Sequence, residues 1–73
     1  MIVAAALQIE GMTISMPKPA RHGDIIARFG ADGDQGFLTS AGTFAHRRLA
    51  HRIAFKAGQV ATMDGELFSE DLW

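Results

Sequence analysis

Seventy-three residues allow one small domain, and a chain this short buries only about 60% of the surface it exposes when unfolded, so its core is marginal. With no cysteine there is no disulfide framework and no thiolate metal site to compensate, which leans toward a reducing cytoplasm and toward self-association as the remaining common way to stabilise the fold. A net charge of −1 excludes both a protein that coats nucleic acid by bulk charge and a wholesale DNA mimic, but the average hides a split. All seven Lys and Arg residues lie between positions 18 and 56, against four acids in residues 1–56, whereas residues 57–73 hold Asp64, Glu66, Glu70 and Asp71 and no cation. The acidic tail is expected to fold onto a basic face, its own or a neighbour's.

In chain order, the apolar run from Ile2 to Leu7 is short, has no basic residue before it and is followed by Gln8 and Glu10, which fits neither a signal peptide nor a membrane span. Residues 3–9 and 12–16 alternate about Glu10-Gly11, a plausible two-residue turn. That turn predicts a hairpin in which Ile9 faces Met12, Leu7 faces Ile14 and Ala5 faces Met16, all on one face. Pro17 and Pro19 end it, because neither can donate to a strand ladder. A short helix is expected over 20–29, with Ile25, Ile26 and Phe29 inward, Arg21, His22 and Arg28 near its ends, and Gly30 as its stop.

Gly30 to Gly36 reads as a loop, Gly36 to Ser40 as a strand, Ala41-Gly42 as a second tight turn and Thr43 to Ala45 as a return strand. In that register Thr39 faces Phe44, and Phe37 and Phe44 share one side. Residues 46–57 divide into two faces. Leu49, Ala50, Ile53, Ala54 and Ala57 form an apolar stripe at helical spacing, and Arg48, Arg52 and Lys56 lie opposite, with Arg47 and His51 at the border. Gly58 closes this helix, a possible strand follows at 59–63, and residues 66–73 form a docking tail. The sum is a single α+β domain over 1–73, ordered ββαββα.

The chemistry-bearing residues are few. Arg21 and His22 at a helix start can both reach a phosphate or carboxylate, although a solvated surface pair is the plainer reading. His46 and His51, five residues apart, point about 140° away from each other on a helix and do not match a zinc pair, so no metal site and no cofactor are expected. Ser40 and Ser69 lack a nucleophile elbow, and neither HExxH nor a phosphate loop is present, so enzymatic activity is not expected unless a site is built across subunits. The basic stripe has three readings: a solvated face partnered by the acidic tail, a nucleic-acid contact, or part of a pocket for a phosphorylated ligand. Trp73, the sole tryptophan, is expected to dock with Leu67, Phe68 and Leu72, in its own chain or across an interface.

These segments, ARHGDII at 20–26, QGFLTSAGTF at 35–44, Arg47, Ala50 to Ala54, AGQ at 57–59 and LFSEDLW at 67–73, resemble a group of short proteins of phages, prophages and mobile elements. The resemblance covers over half the chain, and the C-terminal string is its most specific part. The group's pattern often has a second His after His22, Asn or Asp at the second helix's start and Glu before Ala50. Here Gly23, His46 and Leu49 stand in those places. His46 is a poorer N-cap than Asn or Asp, Leu49 extends the apolar stripe or makes a new contact surface, and Gly23 weakens any role for paired histidines.

The resemblance implies a phage context rather than a reaction. Small phage proteins without enzyme motifs are commonly inhibitors of host defence, an association and not a derivation. The leading expectation is therefore an oligomeric protein of the host cytoplasm that sequesters a nucleotide-like anionic small molecule at or near a subunit interface. Arg21 and His22 would contact phosphate, Gln35 and Gly36 would supply polar and backbone contacts, Arg47 a second cation, and Phe37 or Trp73 an apolar wall. The alternatives are a protein-binding inhibitor or regulator of a host complex, and a small nucleic-acid-binding accessory protein. A structural domain without a ligand is the blandest reading.

Overall fold

The computed structural model describes residues 1–30, 33–62 and 65–73. Six regular elements follow in the expected order: β1 (Ile2–Ile9), β2 (Met12–Pro17), α1 (His22–Phe29), β3 (Asp34–Thr39), β4 (Phe44–His46) and α2 (Arg47–Lys56), with a single 3-10 turn at Ser69–Asp71 in the tail. The strands form one antiparallel sheet, ordered β2-β1-β3-β4. The result is the expected small α+β domain.

The first hairpin has the expected register, with Ile9 opposite Met12, Leu7 opposite Ile14 and Ala5 opposite Met16. Its turn works because Glu10 and Gly11 both take positive φ, 49° and 81°, the conformation whose twist matches that of the flanking strands. β1 is one of the two inner strands, and its run from Ala4 to Leu7 is apolar at every position and buried throughout. A register shift between Ile2 and Ala4 breaks the two-residue alternation, so Ile2 and Ala5, three apart, both reach the core. There Ile2, Ala5, Leu7, Phe37 and Ala45 of the sheet meet Ile25 of α1, Ala50 and Ala54 of α2, and Leu67 of the tail. Past the shift, the Gln59 side chain acts as a substitute strand, accepting from Ile2 N at 2.8 Å and donating to Ile2 O at 2.9 Å.

Several local expectations are corrected. Asp34 and Gln35, read as loop, belong to β3, which starts two residues before the expected Gly36; Ala31 and Asp32 of that loop lie outside the described residues. The second hairpin is shifted by one residue, with Leu38 opposite Phe44 and Phe37 opposite Ala45, so Phe37 and Phe44 occupy opposite faces. The cause is a three-residue loop, Ser40-Ala41-Gly42. Gly42 takes φ 82° after a turn closed by Gly42 N–H to Thr39 O, and Thr39 N–H then reaches Thr43 O.

No strand forms over 59–62, and Met63 lies outside the described residues. Gly58, at φ 75°, turns the chain away in a Schellman ending: Gln59 N–H reaches Ala54 O and Gly58 N–H reaches Phe55 O.

Both helices are rotated from their expected settings. In α1 Ile25 is buried and Ile26 half-buried, but Phe29 is exposed and His22 is inside. In α2 the buried positions are Ala50, His51 and Ala54, with Ile53 half-buried, while Leu49 is 52% exposed and Ala57 is exposed. The tail is the reason. Leu67 enters the core, its N–H donating to Arg47 O at 3.1 Å, and Gly65 O meets His51 Nδ1 at 3.2 Å, so the tail covers the flank that carries Arg47 and His51.

A polar clasp on the tail and a cleft at the head of the second helix

The seven residues expected to line a ligand pocket do converge within one chain, but most of their polar atoms are taken up by the fold. Arg21 precedes α1, where Asp24 accepts from its backbone N–H at 2.8 Å. The Arg21 side chain lies over the tail, donating from Nε to the Trp73 carbonyl oxygen at 2.8 Å, with Nη2 reaching the same atom. Trp73 returns the contact by donating Nε1–H to Ala20 O at 2.9 Å, while its ring packs against the core. The indole therefore docks on its own chain, with both ends of the residue hydrogen-bonded to the turn before α1.

His22 is buried. Its Nε2 lies 2.7 Å from Gly36 O, and since a carbonyl only accepts, Nε2 carries the proton. Its ring stands edge-on to Phe37, centroids 5.1 Å apart. Phe37, expected as a pocket wall, is fully enclosed in the core. Gly36 is enclosed because its neighbours leave no room for a side chain: a Cβ there would sit 2.4 Å from Phe44 Cζ and 2.5 Å from Ala45 O.

Burial lowers the His22 pKa below its ordinary value. The hydrogen bond to Gly36 opposes that effect, the Arg47 charge adds to it, and Glu70 works against it. A base whose folded pKa is depressed takes up its proton more readily when unfolded. This contribution to stability is thus complete above the unfolded value of 6.5 and is lost as pH falls from there through the folded value. Thermal unfolding from pH 7.5 to 5 is expected to show a decline that flattens in His22→Gln, a variant that keeps a donor for Gly36 O. An undiminished decline would assign the acid sensitivity to other groups.

Arg47 and Gln35 are half-buried and lie beside an open cleft. Arg47 opens α2; its Nη2 donates to Gln35 Oε1 and its guanidinium lies 4.8 Å over the Phe68 ring. Its Nε is buried and has no hydrogen-bond partner among the described residues. Beside it an open cleft of about 330 Å³ is lined by Asp34, Gln35, His46, Arg47, Arg48 and Glu66. His46 holds the N-cap position of α2 without making a side-chain cap bond, and no acid lies in the first turn. The first N–H groups of the helix therefore have no side-chain acceptor, and the positive end of its dipole faces the cleft.

Sequence reading pointed to Gln35 and Arg47 here, and to Arg48 as part of the basic stripe, but passed over His46, Asp34 and Glu66 as cleft residues. The only signal for them was the weak N-cap residue next to two arginines. No group of acidic, histidine or cysteine side chains suited to a metal ion occurs among the described residues. No helix among them is long and apolar enough to cross a membrane.

Fold and site together define a two-layer α+β domain whose tail is clasped to the start of α1, with a charged cleft at the head of α2. A family model described as phage T4 y16D protein matches residues 1–73, and the chain belongs to that phage protein family. No curated protein and no solved structure matches it significantly.

Proposed function

We propose that the protein binds and sequesters a nucleotide-like anionic small molecule in the cleft at the head of α2, in the manner of a phage protein directed against host defence. One observation carries the reading: an uncapped helix start, with the unpartnered Arg47 Nε beside it, opens on a cleft also lined by Arg48 and His46. A phosphate seated there would take the free backbone N–H groups and the two guanidinium groups. The carboxylates of Asp34 and Glu66, which would repel a simple anion, are suitable acceptors for sugar hydroxyls, so the mixed lining fits a nucleotide better than inorganic phosphate. The volume of about 330 Å³ lies at the small end of the range for ligand sites.

Of the residues first expected, Gln35 and Arg47 keep their roles, Arg48 replaces the Arg21–His22 pair as the second phosphate contact, and Trp73 serves the fold. Calorimetry against cyclic dinucleotides and ADP-ribose derivatives tests the reading. Binding by the wild type, weakened tenfold or more in the exposed-site variant Arg48→Gln, is the expected result. No heat with any of them at high micromolar concentration overturns it.

A further inference from the structure

The outer face of α2 has no partner among the described residues. Arg48, Arg52 and Lys56 are exposed along it, and none makes an ion pair with an acid among the described residues. Two large apolar side chains stand among these cations, Leu49 at 52% and Phe55 at 40% exposure. A face of cations alone is what solvent or a phosphate backbone would accept. Leu and Phe interleaved with them require a partner that offers both acids and an apolar surface.

The tail offers that chemistry. Glu66, Glu70 and Asp71 are exposed there, Phe68 is 42% exposed between them, and residues 57–73 contain no cation. In its own chain the tail lies against the flank of α2 through Arg47 and His51, not against the outer face, and Glu66, Glu70 and Asp71 leave Arg48, Arg52 and Lys56 unpaired among the described residues. The two surfaces thus adjoin, one cationic and one anionic, each with exposed apolar groups.

We infer that a second copy of this chain covers the outer face of α2, in a two-fold dimer where the α2 face of each protomer meets the acidic tail of the other. A two-fold axis requires a self-complementary surface, and adjoining patches of opposite charge supply one. The rotation brings each cationic half onto an anionic half, and the contact closes after two copies. An isolated nucleic-acid reader would instead gather its cations without an adjoining acidic surface to repel the phosphates. Arg48 and Glu66 also line the cleft, but Arg52, Lys56 and Glu70 lie outside it, so loss of the dimer in Arg52→Glu with Lys56→Glu is distinguishable from loss of ligand binding.

Sedimentation equilibrium of the full chain tests it. At 50 mM salt the wild type is expected to reach twice its 7.9 kDa chain mass in the micromolar range, and to dissociate at 500 mM, where exposed charges are largely screened. Arg52→Glu with Lys56→Glu is expected to be monomeric, as is Glu66→Lys with Glu70→Lys, and an equimolar mixture of the two double variants is expected to regain a dimer. All four positions are exposed, so folding should survive. Should circular dichroism show otherwise, Arg52→Gln with Lys56→Gln replaces the reversal and is again expected to be monomeric. A wild type that stays monomeric at every concentration overturns the inference, including one that binds duplex DNA through this face. A dimer indifferent to salt and to both reversals overturns it as well.

Discussion

Leu67→Ala is expected to lower the stability of the protein by about 2–5 kcal/mol, the usual range for emptying a fully buried leucine site. A domain of this length has roughly 4–11 kcal/mol in total, so the variant stands close to global unfolding. Leu67 is fully buried in the core cluster that also holds Ile2, Phe37, Ala50 and Ala54, and its backbone N–H donates to Arg47 O. Removing it opens a cavity where the tail joins the two layers. Each kcal/mol should lower Tm by about 4–8 °C in a domain of this size. Trp73 supplies a local readout because it is the sole tryptophan and its indole is docked at Ala20. Its emission should shift to the red at temperatures where far-UV circular dichroism still reports helix and sheet, if the tail leaves before the rest unfolds. Phe68→Ala, at an exposed position of the same segment, should cost far less. Equal losses for the two variants would show that the tail is held by its surface contacts and not by Leu67.

Gly36→Ala should rank next, at about 1–3 kcal/mol, as for other insertions into close-packed sites. The new Cβ would meet Phe44 Cζ at 2.4 Å and Ala45 O at 2.5 Å. The ring can swing, but the carbonyl belongs to the strand paired with β3. Relieving the ring contact through Phe44→Ala should therefore recover only part of the loss, and full recovery would mean that the backbone contact is harmless. Gly23→Ala makes the opposite case. Nothing lies within 4 Å of a Cβ there, the residue is helical, and a gain of up to about 1 kcal/mol is expected in chemical denaturation from the reduced freedom of the unfolded chain. Two glycines that responded alike would contradict the packing described around Gly36.

The elements that were legible in the sequence were those written in local pattern. The first hairpin, its register and its turn follow from alternation about Glu10-Gly11, and the helix endings follow from Gly30 and Gly58, which both take positive φ. The glycines at 36 and 42 show the limit of such reading. Each is a plausible turn residue, yet Gly42 sits in a three-residue loop that moves the register by one, and Gly36 lies within a strand where a neighbouring ring and carbonyl exclude a side chain. Composition does not distinguish a glycine needed for its own φ from one needed for a neighbour's approach.

The candidate site was half legible for the same reason. Arg21, His22, Gln35 and Arg47 stand out as polar groups that a plain core would not need, with Gly36 expected for its backbone and Trp73 as an apolar wall, and they do come together. What they hold, however, is each other: Arg21 holds Trp73, His22 holds Gly36, and Arg47 meets Gln35 and Phe68. A donor's partner is decided by distance in space, and a tail returning across some 50 residues to the start of α1 leaves no periodic trace in the chain.

By itself, then, the sequence determined the order of elements, the first hairpin and the division of α2 into an apolar and a cationic side, because these rest on interactions between residues a few positions apart. Only the tertiary structure decided which sector of each helix is covered, which polar groups are spent on the tail and which remain at the cleft. Those outcomes depend on where Leu67 and Trp73 dock, and docking is a property of packed surfaces rather than of spacing.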